Sequence, residues 1–187
     1  PGRWVKGPGM AFFDALRDAL GVLPLVAEDL GDIDVAVHEL RDAAALPGMK
    51  VLQFAFGQGA DHAFLPHNYP RHCVVYTGTH DNDTTLGWWQ TAGDPIQDHV
   101  RRYLARDGHD VVWDLIRTAF RSPADTAVIP MQDVLALDGR SRMNRPGLGD
   151  GNWCWRVREE AFHPSLSGRI RELAELYNRL PKKPEKS

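Results

Sequence analysis

Two stretches of the 187-residue sequence concentrate side chains able to do acid–base or hydroxyl-reading chemistry. Glu28-Asp29-Leu30-Gly31-Asp32 follows a short apolar run, Leu23 to Ala27. Gly78-Thr79-His80-Asp81-Asn82-Asp83-Thr84-Thr85 follows another, Cys73 to Thr77. A carboxyl group at the end of a buried strand loses part of its hydration. That favours its protonated form, so Glu28 suits a general acid near neutral pH. The same acids also read as helix caps, since Asp32 and Asp34 stand where a helix would start. In the second stretch, Asp81 can stabilise developing positive charge or hold sugar hydroxyls, and His80 can donate to a hydroxyl. Asp83 reads as a helix N-cap, with Thr84 and Thr85 in the first turn. From the residues alone, the functional and structural readings of His80-Asp81 are evenly balanced.

Other stretches carry weaker signals. Gly57-Gln58-Gly59-Ala60-Asp61-His62 lets a loop approach a ligand closely, but serves equally as a plain turn, the favoured reading. It is not a dinucleotide fingerprint, and no phosphate-binding loop occurs. The segment from Arg142 to Arg156 is glycine-rich and ends on Trp153 and Trp155. Asn and Trp on such a rim suit carbohydrate, because apolar sugar faces stack on rings and amides read hydroxyls. Asn144 is taken as functional, whereas Trp153, Trp155, Trp88 and Trp89 are taken as packing. Glu28, Asp29, His80, Asp81 and Asp83 can be imagined around a hard cation, but no HExxH or EF-hand spacing is present, so a metal site is disfavoured. Neither Cys73 nor Cys154 has the electropositive surroundings a thiolate nucleophile needs.

The elements that must hold these side chains follow from periodicity. Met10–Leu20 carries Phe12, Phe13, Leu16 and Leu20 on one face, with Gly21 as a C-cap, and reads as a helix. Leu23–Ala27, Val51–Phe56, Cys73–Thr77 and Thr126–Met131 read as short strands. Helices are predicted over Asp34–Ala45, Thr84–Gln90, Pro95–Ala105, Val111–Phe120 and Ser165–Leu180. Continuously apolar strands separated by helices indicate a parallel sheet and the α/β class, with about four βα units. Four units are half of an eight-stranded barrel, and they also fit a small open sheet. In either case function gathers beyond the carboxyl ends of the strands.

Composition narrows the class. Apolar residues are 43% and charged residues 25%, a globular balance that argues against a disordered polyelectrolyte. The net charge of −3 gives no basic excess for nucleic acid or an anionic membrane. Two cysteines exclude a disulfide-rich scaffold. The apolar stretch around Val22–Ala27 is broken by Pro24 and is too short to span a bilayer. With no secretory leader visible, a cytoplasmic protein is expected. The tail from Pro181 to Ser187 is charged and expected to be mobile. The sequence opens at Pro1 within what reads as a loop, as a piece of something longer would.

Several long blocks in fixed order resemble the C-terminal part of bacterial 4-alpha-glucanotransferases, also called amylomaltases or disproportionating enzymes. They are Gly2-Arg3-Trp4-Val5-Lys6-Gly7-Pro8-Gly9, Ala27-Glu28-Asp29-Leu30-Gly31, Leu46 to Phe56, Leu65-Pro66-His67-Asn68-Tyr69, Val75 to Trp88, Met143-Asn144-Arg145-Pro146-Gly147 and Gly151 to Arg156. The resemblance implies the C-terminal portion of a (β/α)8 barrel over residues 1–180, followed by the tail. It implies retaining transfer of α-1,4-glucan segments between maltooligosaccharides, with no cofactor and no metal. Glu28 matches the family's general acid/base. Asp81 matches the acid that grips sugar hydroxyls and favours the oxocarbenium-like state, and His80 its neighbour in the donor subsite. Phe54, Asn144 and the Pro146-Gly147 loop match parts of the glucan groove, and Gln58 is a substrate contact that departs from the family pattern. An acid is expected where Gln58 stands.

One departure bears on activity. The family's nucleophile is an aspartate in an Arg-x-Asp-His segment on an earlier barrel strand, and the 187 residues contain no such segment. They span roughly the last third to half of a typical member, judged from the usual size of the barrel. The expectation is therefore a piece inactive alone, which pairs with the remaining barrel half or with itself. The rival readings are a non-catalytic α-glucan-binding half-barrel and a metal-dependent hydrolase.

Overall fold

The structure is a computed structural model and describes residues 2, 3, 5–22, 24–31 and 33–181. The strand reading at Leu23, the capping reading of Asp32 and the charged tail beyond Pro181 lie outside the described residues.

Short runs rich in Val, Met and Tyr form three strands: β1 (Gly48–Val51), β2 (Cys73–Tyr76) and β3 (Thr126–Val128). They pair in parallel in the order β1-β2-β3. The register runs from Gly48 opposite Cys73 to Val51 opposite Tyr76, and from Val74 opposite Thr126 to Tyr76 opposite Val128. Two helices, α1 (Met10–Leu20) and α2 (Val35–Ala43), precede the sheet. Three more, α3 (Thr85–Thr91), α4 (Asp94–Leu104) and α5 (Val111–Arg121), make the crossover from β2 to β3 that parallel pairing demands. The short α6 (Met131–Val134) and α7 (Pro164–Leu176) follow.

Alternation along the strands assigns the two faces of the sheet. Leu52, Cys73 and Val75 pack into the core with Val112, Leu115, Ile116 and Ala119 of α5. That helix buries seven of its eleven residues, which makes it the central covering element. Each such Leu or Ile contributes about 1.5–3 kcal/mol by leaving water. The opposite face carries Met49, Tyr76 and Val128 and looks onto a groove.

Several predicted boundaries are corrected. The described residues of Leu23–Ala27 make no strand. Pro24 has no N–H to give a ladder, and the segment's single backbone bond toward the sheet is Ala27 N–H to the Pro47 carbonyl at 2.9 Å. Among the described residues the sheet thus has three strands, not four. The strand predicted over Val51–Phe56 instead ends at Val51. Leu52–Phe54 is a 3-10 turn closed by Ala55 N–H on the Leu52 carbonyl at 3.0 Å. This turn buries Leu52, Ala55 and Phe56 and leaves Phe54 41% exposed. Thr84, not Asp83, caps α3, its hydroxyl accepting from Gly87 N–H at 3.1 Å. Asp34 does cap α2, accepting from Val37 N–H at 3.1 Å. The last helix stops at Leu176 because Asn178 turns left-handed (φ 56°). Arg179 then reaches back to donate to the carbonyls of Phe120 (2.6 Å), Ala124 (2.9 Å) and Ser122 (3.0 Å), satisfying the end of α5.

Candidate active site

The ends of β1 and β2 open onto a groove of about 990 Å³. Glu28, Phe54, Gln58, His80 and Asp81 all line it. Asn144 touches it through Asp81, and Pro146 stands exposed in the same loop, outside the lining. One wall descends from the Glu28 segment and the other from the loop after β2.

Asp29 fixes the first wall. Its carboxylate accepts from Met49 N–H of β1 at 2.6 Å and from Arg41 of α2 at 2.5 Å, and its side chain is 4% exposed. A Cβ on Gly48 would run into that carboxylate, so only glycine lets the segment lie this close to β1. Asp29 is therefore a clamp, and Glu28 stands between two anchored neighbours, Ala27 and Asp29. Glu28 itself is exposed. The desolvation expected at this position is not supplied by any described residue. Glu28 does act on Tyr76 across the groove: burial lifts the Tyr76 phenol above its ordinary value and the Glu28 carboxylate adds to that.

The second wall is a self-tied turn. Asn82 Oδ1 accepts from Thr79 N–H (2.9 Å) and the Thr79 hydroxyl (2.8 Å), and Asp81 N–H donates to that hydroxyl at 3.3 Å. The Asn144 amide donates to Asp81 Oδ1 at 2.5 Å, while His80 Nε2 stands 3.5 Å from the same oxygen. Arg142 completes the arrangement by donating to the Asp81 carbonyl (2.6 Å) and the Asn144 carbonyl (2.7 Å). Behind the turn, the buried Gln53 amide donates to the Asp83 carbonyl at 2.8 Å, and a Cβ on Gly78 would lie 2.5 Å from its Nε2. Asp133 lies deeper still, 1% exposed. Burial pushes its carboxyl above the ordinary range, while hydrogen bonds from Thr77 and Thr85 act the other way.

Sequence reasoning missed three contributors. Trp153, read there as packing, is 54% exposed, lines the groove and lies 5.0 Å from the His80 ring. Its left-handed backbone (φ 62°), uncommon outside glycine, marks a special position that no residue pattern signals. Arg142 and Asp133 act across 61 and 48 residues of chain, respectively, and no local pattern marks such bonds. Among the described residues no three His, Cys, Asp or Glu side chains converge as a metal site, and no helix is long and apolar enough to cross a membrane.

Fold and site together define an α/β protein with an acidic, aromatic-edged groove at its strand ends. The 4-alpha-glucanotransferase family profile matches residues 1–161, and the chain belongs to that family. The 4-alpha-glucanotransferase of Thermus thermophilus is 50% identical over 187 residues, covering 96% of this chain and 37% of that protein. The chloroplastic/amyloplastic 4-alpha-glucanotransferase of Arabidopsis thaliana is 48% identical over 183 residues, covering 96% and 32%. Among solved structures, amylomaltase from Streptococcus agalactiae in complex with acarbose superposes with a TM-score of 0.91 at 32% identity, over 96% of this chain and 37% of that one. The chain spans about a third of the length of the relatives it matches.

Proposed function

We propose that residues 1–180 form a C-terminal portion of a (β/α)8 barrel and supply one flank of a 4-alpha-glucanotransferase active site. The observation that carries the proposal is that Glu28 and Asp81, from segments 53 residues apart, line one groove. The likeness to an amylomaltase in complex with acarbose supports an α-glucan as the molecule the groove accepts.

In this reading Glu28 gives its proton to the oxygen of the departing glucan as a nucleophilic carboxylate bonds to C1 of the donor sugar. The acceptor's 4-hydroxyl then gives its proton to Glu28 while its oxygen attacks C1 and the carboxylate leaves, so configuration is retained. Asp81 holds donor hydroxyls and faces the positive charge that develops, with His80 beside it. Phe54 offers an apolar face to the sugar, and Gln58, Asn144 and Pro146 border its path. Hydrolysis must lose to transfer, so water is excluded or outcompeted by bound sugar. The nucleophile comes from an Arg-x-Asp-His segment outside these 187 residues, and the chain alone does not turn over. The test is maltotriose disproportionation by the complete polypeptide: the wild type transfers maltosyl units and releases glucose, and Glu28→Gln is slower by about 10²–10⁴-fold, the usual worth of an acid/base group. Equal rates would remove Glu28 from the mechanism.

A second reading is a glucan-binding half-barrel without catalysis, in which His80, Asp81 and Asn144 read hydroxyls and the exposed Phe54 is an apolar platform. Calorimetric titration with maltoheptaose separates the two, because saturable binding with no turnover in the complete polypeptide supports only the second.

A further inference from the structure

The loop that carries His80 and Asp81 leaves the sheet at Thr77 and enters α3 at Thr85. Both threonines are fully buried. Both send their hydroxyls to one oxygen of Asp133: Thr77 Oγ1 at 2.5 Å and Thr85 Oγ1 at 2.7 Å from Oδ2. The other oxygen accepts from Thr85 N–H at 2.7 Å. A single carboxylate from α6, just beyond β3, therefore grips the first and last residues of the loop. A buried charge is costly, and an apolar trio of the same shape would often be as stable. What apolar residues cannot do is fix direction, because dispersion contacts are not oriented as hydrogen bonds are.

We propose that Asp133 is a positioning residue for Asp81, its carboxylate pinning the two ends of the 77–85 loop so that Asp81 keeps one place beside the reacting sugar. The inference rests on the role given to Asp81 above. Asp133 acts through the loop: each of its oxygens already accepts from Thr77 or Thr85. The tie between Thr79 and Asn82 shapes the loop from within, while Asn144, Arg142 and Gln53 hold its middle from neighbouring segments. Asp133 holds both of its ends to one point beyond β3.

The experiment uses the complete polypeptide with maltotriose as substrate. Thr85→Val and Thr77→Val remove a hydroxyl at nearly constant volume, Thr85→Ser and Thr77→Ser keep it, and Asp133→Asn removes the charge. In Asp133→Asn and the valine variants kcat is expected to fall about tenfold or more, the scale of an ångström-sized misplacement. KM stays within about twofold, because a group used mainly in the transition state is lost from kcat. The serine variants recover most of the rate. If Asp133→Asn fails to fold, the threonine pairs carry the test. Unchanged kcat overturns the inference. So does a loss that follows the folded fraction in thermal melts and is not recovered by serine, since that is plain structural support. An inactive wild type sinks this inference together with the proposed function, whereas an active wild type with indifferent variants sinks this inference alone.

Discussion

Asp81 and Asn144 show how much one side chain can depend on another. The Asp81 side chain is about half exposed, so solvent alone does not fix its direction. The Asn144 amide bonds Oδ1 at 2.5 Å, and its own backbone is held by Arg142. A hydrogen bond to a charged group is worth about 1.5–3 kcal/mol. If Asp81 is used in the transition state, Asn144→Ala in the complete polypeptide lowers kcat for maltotriose by about tenfold to a hundredfold on that figure. Asn144→Asp sets two carboxylates against each other and is slower still. Steady-state kinetics at fixed pH check this, and a full rate in Asn144→Ala would show that the bond only decorates the loop.

At the scale of elements, the Asp29 clamp that holds the Glu28 segment against β1 makes a clean comparison available. Gly48→Ala would drive a methyl group into the Asp29 carboxylate, which Arg41 and Met49 N–H already fix. Overpacking of this kind costs about 1–3 kcal/mol. Gly168→Ala lies in exposed α7 with nothing within 4 Å of its added carbon, and should gain about 0.5–1 kcal/mol from lost chain entropy. Thermal melts are expected to move in opposite directions, and a Gly48→Ala protein as stable as wild type would mean the clamp yields. The helices were legible because 3.6-residue periodicity is local: α1 and α5 have nearly the expected bounds. Strand ends were less legible. Leu52 to Phe56 is as apolar as β1, and only the packing of Leu52 and Phe56 against α5 and its neighbours makes the chain turn there. In the groove, Glu28, His80 and Asp81 stood out because polar residues cluster after apolar runs. Asp133 did not, since its partners Thr77 and Thr85 are distant in sequence and unremarkable in type.

The whole molecule leaves apolar surface uncovered by any described residue. α1 and α2 bury none of their residues. Phe12, Leu20 and Val35 are at least half exposed, and Val22 is 94% exposed. On the sheet, β3 is an edge strand whose Val128 is 41% exposed toward the groove. Scattered exposed apolar residues are ordinary, but two helices with no buried residue and a parallel sheet with an open face are not, because such sheets are found with both faces covered. In a longer relative the rest of the polypeptide can cover these surfaces. The 187-residue chain expressed by itself has only other copies to use. It is therefore expected to self-associate as its concentration rises and to release no glucose from maltotriose. Light scattering over a concentration series, read beside a glucose assay on the same samples, tests both halves. A monodisperse monomer at high concentration would show that α1, α2 and β3 find cover within the chain. Robust turnover would mean that a nucleophile exists among these residues after all.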